Sequence, residues 1–269
     1  MATANGRRAL VTGASSGIGE AYARRLARDG NDLVLVARRA EKLAGLAAEL
    51  SKAHGVKVEP VAADLSTDEG IAAAEKVIAD GPLDWLVSSA GFATRGHLVK
   101  VAPEKIARQV RLHVEANARM VRAALPGMID RRQGSIVVLS SLSAFLTTEH
   151  YVSYSASKAY LNMFVLGLRD ELRGTGVRAQ AVCPGLTKTE FMFTEEYKDF
   201  SYDSVPAWVW MTADEVVEES VAALERAEKE PVFVPGRGNR AFVALMEAPL
   251  VGAAVRAAIN RLGRGKNLY

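Results

Sequence analysis

The sequence predicts an α/β fold, a doubly wound parallel sheet of seven strands in a single domain. Three observations carry this reading. Short runs rich in β-branched residues recur along the chain, and helical stretches of about ten residues or more separate almost every pair of them. No internal repeat, low-complexity tract or Pro/Gly/Ser linker divides the 269 residues. Strands joined by helical crossovers pair in parallel, with right-handed connections and helices over both faces.

The first strand is "ALVT" (residues 9–12), and "TGASSGIGEAYARRLA" turns it into the first helix. "LVLVA" (33–37), "VKVEPVAA" (56–63), "LDWLVS" (83–88), "SIVVLS" (135–140), "VRAQAVC" (177–183) and "PVFV" (231–234) follow, short apolar runs of the kind that both-face burial demands. Two segments break the alternation and read as additions to the core. One is the aromatic-rich insertion of residues 189–211; the other is the C-terminal extension of residues 235–269.

Composition narrows the function classes. At 49% hydrophobic and 24% charged the chain suits one large core, and its net charge of +3 comes from scattered, nearly balanced residues, so no nucleic-acid footprint is expected. Cys183 is the only cysteine and the opening "MATANGRRAL" lacks the apolar core of a signal peptide, which points to a reducing cytoplasm. The late apolar stretch from Phe242 to Ile259 is interrupted by Glu247, Pro249 and Arg256, so it is not expected to span a bilayer. No metal ligand set is assigned.

Gly13, Gly17 and Gly19 lie where the chain turns from strand into helix. Bare backbone there lets amide groups and the positive end of the helix dipole face a pyrophosphate, so the turn reads as a dinucleotide site. At the end of the second strand, where an acid would accept from a ribose hydroxyl, stand Arg38 and Arg39. Planar, permanent positive charge suits a 2′-phosphate, which argues for NADP(H) over NAD(H); the alternative is two solvated arginines opening a helix. Asp64 after the third strand is placed to accept from the adenine amino group or to cap the helix beginning near Thr67.

The pair Tyr154 and Lys158 in "YSASK" shares one helix face at a spacing of four. Reducing a ketone needs an acid that gives a proton to oxygen as hydride reaches carbon. A phenol that keeps its proton to about pH 10 is too weak, and a neighbouring cation is expected to lower its pKa.

In order and spacing, "TGASSGIG", "SSAG" (88–91), Ser141, "YSASK" and "PGLTKT" (184–189) resemble the short-chain dehydrogenase/reductase family over about Arg7 to Val234. The resemblance implies a Rossmann-type fold, a nicotinamide cofactor and hydride transfer. It implies that Tyr154 is the general acid/base, that Lys158 and the positive charge of the oxidised nicotinamide together lower its pKa, that Lys158 also holds the nicotinamide ribose, and that Ser141 orients the substrate carbonyl. Carried over motif by motif, it implies cofactor contacts from Gly13, Ser15, Ser16, Gly17, Ile18, Gly19, Asp64, Leu65, Ala90, Gly91, Tyr154, Lys158, Pro184, Gly185, Thr187 and Thr189. Family members also assemble as dimers or tetramers through their long helices, so a homo-oligomer is expected.

The pattern breaks in places. His113 stands where many members carry an asparagine that orders a proton-relaying water; His113 holding such a water, Asn117 substituting one turn later, and a histidine satisfied locally are all open. Ser88 and Ser89 replace two asparagines, which puts local rigidity in doubt. The cluster of Phe191, Phe193, Tyr197, Phe200, Tyr202, Trp208 and Trp210 reads as a lid over a bulky apolar substrate, as core, or as a subunit contact, with Phe92 and "AFLTTEHYV" as the opposite wall of a lidded site. The tail from Arg237 to Arg264 reads as packed on its own domain, on a partner subunit or on a membrane surface.

The function expected is NADP(H)-dependent interconversion of a ketone and a secondary alcohol on a small hydrophobic substrate of lipid-, acyl- or steroid-like character. The alternatives are a nicotinamide-dependent epimerase or dehydratase, in which the hydride returns to the substrate, and a non-enzymatic NADP(H)-binding sensor.

Overall fold

The computed structural model describes residues 6–146, 149–197, 205–226 and 230–248. Seven strands form one sheet: β1 (Arg8–Thr12), β2 (Asp32–Ala37), β3 (Val58–Ala62), β4 (Trp85–Ser88), β5 (Gly134–Leu139), β6 (Val177–Val182) and, at the far edge, β9 (Val232–Phe233). Their order is β3-β2-β1-β4-β5-β6-β9, and every neighbouring pair is parallel. The seven expected strands are therefore all present, in one doubly wound sheet. Pro60, which cannot donate to a ladder, is tolerated because β3 is an edge strand.

Alternate residues of each strand feed two cores. Ala9 and Val11 of β1 pack with α1 (Gly17–Arg28), α2 (Ala40–His54) and α7 (Ala213–Glu225) on one face. Leu10 between them packs with α3 (Asp68–Ala79), α5 (Ala116–Asp130) and α6 (Val152–Glu171) on the other. A buried bond network pins α1 to α7 and β6: the Tyr22 hydroxyl bonds Ser220 Oγ at 2.6 Å, and Ser220 donates to Gln180 Oε1 at 2.6 Å.

Several local features add to what the residue pattern specifies. Thr67, not Asp64, caps α3, accepting from the Gly70 amide at 3.1 Å. α4 (Pro103–Val110) runs into α5 through a π-helical turn at Arg111–Glu115. The aromatic insertion is framed by a two-stranded parallel ribbon, β7 (Thr187–Lys188) on β8 (Met211–Thr212).

The C-terminal extension begins as α8 (Arg237–Glu247), which buries Val243 and Met246 on its own domain, while Asn239 packs against Gly185. Beyond residue 248 the tail lies outside the described residues, as do Phe200 and Tyr202 of the insertion. No helix among the described residues is long and apolar enough to cross a membrane.

Candidate active site

The sheet order reverses between β1 and β4, so the crevice at their carboxyl ends is where a doubly wound sheet receives a ligand. Gly13 follows β1 with φ +66°, and a Cβ there would come within 2.9 Å of the Ala90 backbone. Gly19 is forced for another reason: a Cβ would lie 2.4 Å from the Gly13 carbonyl oxygen. These contacts fold the start of α1 tightly back on β1 and bring Gly13 against Ala90.

Thr12 supplies the rigidity that the serines at 88 and 89 put in doubt. Its Oγ1 accepts from the amides of Ser89 at 3.0 Å and Ala90 at 3.1 Å, tying the end of β4 to the end of β1. Nothing in the residue pattern singles out Thr12, because its partners are backbone amides 77 and 78 positions away.

The residues fit a bound dinucleotide on two counts. Ser16 precedes α1 without a side-chain cap bond, leaving the helix N-terminus to other acceptors. Arg39 at the end of β2 is already oriented onto the glycine-rich turn, with Nε and Nη2 on Ser15 Oγ at 3.1 and 3.0 Å and Nη2 on the Ser15 carbonyl at 3.0 Å. Arg38 is exposed beside it.

The other sequence-predicted positions divide by burial. Ile18 packs on the core and Leu65 is buried. Asp64 accepts from the amide and hydroxyl of Ser66 at 2.9 and 2.7 Å. Burial pushes its carboxyl up, but these bonds and the charges of Arg38 and Arg108 outweigh burial and hold it below the usual range. Pro184 accepts from the Leu142 amide at 3.0 Å, Thr187 Oγ1 donates to the Gly185 carbonyl at 3.1 Å, and Thr189 lies against Gly17, whose Cβ would meet it at 3.0 Å.

On the other side of the crevice α6 turns Tyr154 and Lys158 inward, 7% and 5% exposed. Lys158 Nζ lies 5.7 Å from the Tyr154 ring centroid and donates to the Leu139 carbonyl at 2.6 Å. A Cβ on Gly91 would lie 3.7 Å from the same Nζ, so the "SSAG" turn and the tyrosine-lysine pair border one space.

Ser141 follows β5 in extended conformation; its hydroxyl accepts from the Ser143 amide at 3.1 Å and lies near enough to the Tyr154 phenol to lower its pKa. Ser140 is distinguished from it by geometry, since its hydroxyl is buried and donates to the Lys158 carbonyl at 3.0 Å. Ser141, Tyr154 and Lys158 are thus brought together.

The electrostatics depart from expectation in sign. Burial pushes the Tyr154 phenol up to about 12, against a lowering from the Ser141 hydroxyl, and burial lowers Lys158 to about 8. In both groups desolvation of the charged form is the largest cause. The nearby amine alone does not make this phenol more acidic than free tyrosine.

His113 is fully buried, and both ring nitrogens are engaged. Nε2 accepts from the Phe92 amide at 3.3 Å, so the proton sits on Nδ1, 2.8 Å from Ser157 Oγ, which in turn donates to the Tyr154 carbonyl at 2.8 Å. Burial, reinforced by Lys158, holds the ring neutral, well below its usual pKa. Of the open readings the locally satisfied histidine is the one observed, and it links the turn after β4 to the backbone of Tyr154. Asn117 Nδ2 donates to the carbonyls of Leu112 and His113 at 3.2 and 3.0 Å, while its Oδ1 is buried without a protein partner.

The aromatic insertion splits. Phe191 lies 6.2 Å from the Tyr154 ring and 5.7 Å from Tyr197, which stacks on Tyr151 at 6.4 Å, so these rings roof the tyrosine. Phe193 and Trp208 point outward, 75% and 81% exposed. Phe193, with Lys188, Thr189, Val205, Pro206 and Trp210, lines a largely apolar cavity of about 660 Å³. Phe92 packs on the sheet's second core and against His113, 6.1 Å between rings.

Comparisons with known proteins agree with this geometry. A family model described as short chain dehydrogenase matches residues 7–199. An uncharacterized oxidoreductase of Myxococcus xanthus is 34% identical over 95% of this chain and 99% of its own length. Among solved structures, a short-chain dehydrogenase from Sphingobium yanoikuyae in complex with NADPH superposes with a TM-score of 0.79 at 32% identity, covering 97% of both chains. The bulky-bulky ketone specific alcohol dehydrogenase from Comamonas testosteroni gives a TM-score of 0.76 at 28% identity, covering 97% of this chain and 95% of that one.

Proposed function

The chain belongs to the short-chain dehydrogenase family of oxidoreductases, and on that premise we propose that it interconverts a ketone and a secondary alcohol on a bulky hydrophobic substrate, using NADP(H). The observation that carries the reading is the convergence of Ser141, Tyr154 and Lys158 on the crevice beside the glycine-rich turn. The bound nicotinamide supplies hydride to the carbonyl carbon or takes it back. The glycine-rich turn, Arg38 and Arg39, Asp64, Ala90 and Gly91, Lys158 and the 184–189 segment hold it. NADP(H) rather than NAD(H) is favoured by the two arginines, and the relative from Sphingobium yanoikuyae was solved with NADPH.

In the reducing direction Tyr154 gives its hydroxyl proton to the substrate oxygen as that oxygen gains charge, and Ser141 donates a hydrogen bond to the same oxygen. A phenol held at about 12 remains protonated at neutral pH. It is still a far stronger acid than an alcohol, whose pKa lies near the about 15.7 of water. Transfer to an alkoxide is therefore downhill without a lowered pKa. In the oxidising direction the phenolate takes the proton back, and the Lys158 ammonium steadies it.

A hydrophobic substrate is supported by Phe191, Tyr197 and Tyr151 around the Tyr154 ring and by the relative from Comamonas testosteroni that acts on bulky ketones. Replacing Tyr154 with Phe is expected to abolish NADPH-dependent reduction across a panel of bulky ketones while leaving NADPH binding, read by nucleotide fluorescence, intact. Turnover undiminished in Y154F removes the proposed proton donor.

A further inference from the structure

Glu190 opens the insertion directly after Thr189, and it is held by cations from a distant part of the chain. Its Oε2 accepts from Arg39 Nη1 at 2.6 Å and its Oε1 from Lys42 Nζ at 2.7 Å. Each carboxylate oxygen has one cation, contributed from across about 150 residues of sequence. Arg39 is meanwhile fixed through its remaining donors on Ser15, within the glycine-rich turn. Thr189, one residue earlier, packs on Gly17 of that turn. The carboxylate therefore sits beside the glycine-rich turn and engages the guanidinium edge that a ligand phosphate needs.

Carboxylate and phosphate are both oxyanions that take guanidinium donors, and they compete for the same Nη group. We propose that Glu190 is a built-in competitor for the cofactor 2′-phosphate, which occupies Arg39 and Lys42 in the cofactor-free chain and so sets how strongly the site discriminates NADP(H) from NAD(H). The inference rests on the reading of Arg39 as a 2′-phosphate ligand and adds Lys42 to that site. When phosphate arrives, Glu190 yields both cations to it. A ligand without the 2′-phosphate leaves the Glu190 contacts in place and feels no competition.

The test uses two small ligands on the full chain, 2′,5′-ADP and 5′-ADP, with affinities measured by calorimetry. Because exposed ion pairs of this kind are weak, E190Q is expected to tighten 2′,5′-ADP by about three- to tenfold and to leave 5′-ADP unchanged. K42A is expected to weaken 2′,5′-ADP alone. Equal changes for both ligands in E190Q, or none for either, overturn the inference. An R38D/R39D double variant separates the two levels. Equal losses of both ligands there remove the NADP(H) reading itself, whereas a selective loss of 2′,5′-ADP beside an unchanged ratio in E190Q removes only the role of Glu190.

Discussion

Lys158 places an ammonium where little solvent reaches it, with the Leu139 carbonyl as its hydrogen-bond acceptor. Its folded pKa of about 8, against an ordinary 10.5, costs about 3 kcal/mol of stability at pH 7. The sign follows from proton uptake: between the two values the unfolded chain holds a proton that the folded chain gives up. The cost is thus full below about 8 and fades as pH rises towards 10.5. Lys158→Met removes the charge but also the bond to Leu139, worth about 1–2 kcal/mol. The variant is expected to gain on the order of 1 kcal/mol at pH 7, less at pH 10, and to lose turnover. Urea unfolding at a series of pH values checks this, and a variant less stable at pH 7 than at pH 10 relative to wild type contradicts it.

The same residue shows what sequence could and could not convey. Its spacing from Tyr154 placed both on one helix face, and that placement holds. That burial outweighs the amine's own effect on the phenol did not follow, because desolvation depends on how much of the chain closes around the pair. His113 is similar: its position in the motif was legible, but its two bonds run to Phe92 and Ser157, which only the folded chain brings near.

At the scale of elements, short β-branched runs located all seven sheet strands: burial on both faces writes a continuous signal in central strands such as β4 and β5, whereas edge strand β3, with no buried residue, is marked by its valines alone. The ribbon of β7 and β8 left no signal, since two residues cannot show a period. The π-turn at Arg111–Glu115 was hidden inside what reads as one helix, since it displaces the hydrophobic stripe by a single residue.

The junction of β1 and α1 is set by contact distance, so it can be tested with one methyl group. In Gly19→Ala the new Cβ meets the Gly13 carbonyl oxygen at 2.4 Å and carbon at 2.7 Å, both backbone atoms that cannot rotate away. The N-terminus of α1 must lift from β1, at a cost of about 1–3 kcal/mol in stability and at least about tenfold in nucleotide affinity. Gly45→Ala in α2 is the control. It meets nothing within 4 Å and is expected to stabilise by up to about 1 kcal/mol. Equal melting shifts in the two variants contradict the contact argument.

Across the whole molecule, α6 joins the reacting groups to a face that the described residues leave uncovered. Tyr154, Lys158, Leu161, Val165 and Leu168 face inward. The opposite side carries Met163 at 69% exposure and Tyr160 stacked on Phe164 at 5.8 Å, where an amphipathic helix would place charge. We propose that this face meets a second copy of the chain, as the family resemblance implies for its long helices. The purified protein is then a dimer or tetramer, and Met163→Glu puts an unpaired charge into the contact and shifts it to smaller species in light scattering. Because the catalytic pair sits on the reverse of the same helix, the smaller species is expected to turn over more slowly while still binding nucleotide. A wild-type chain that remains monomeric at high concentration overturns the assignment of this face to a second copy.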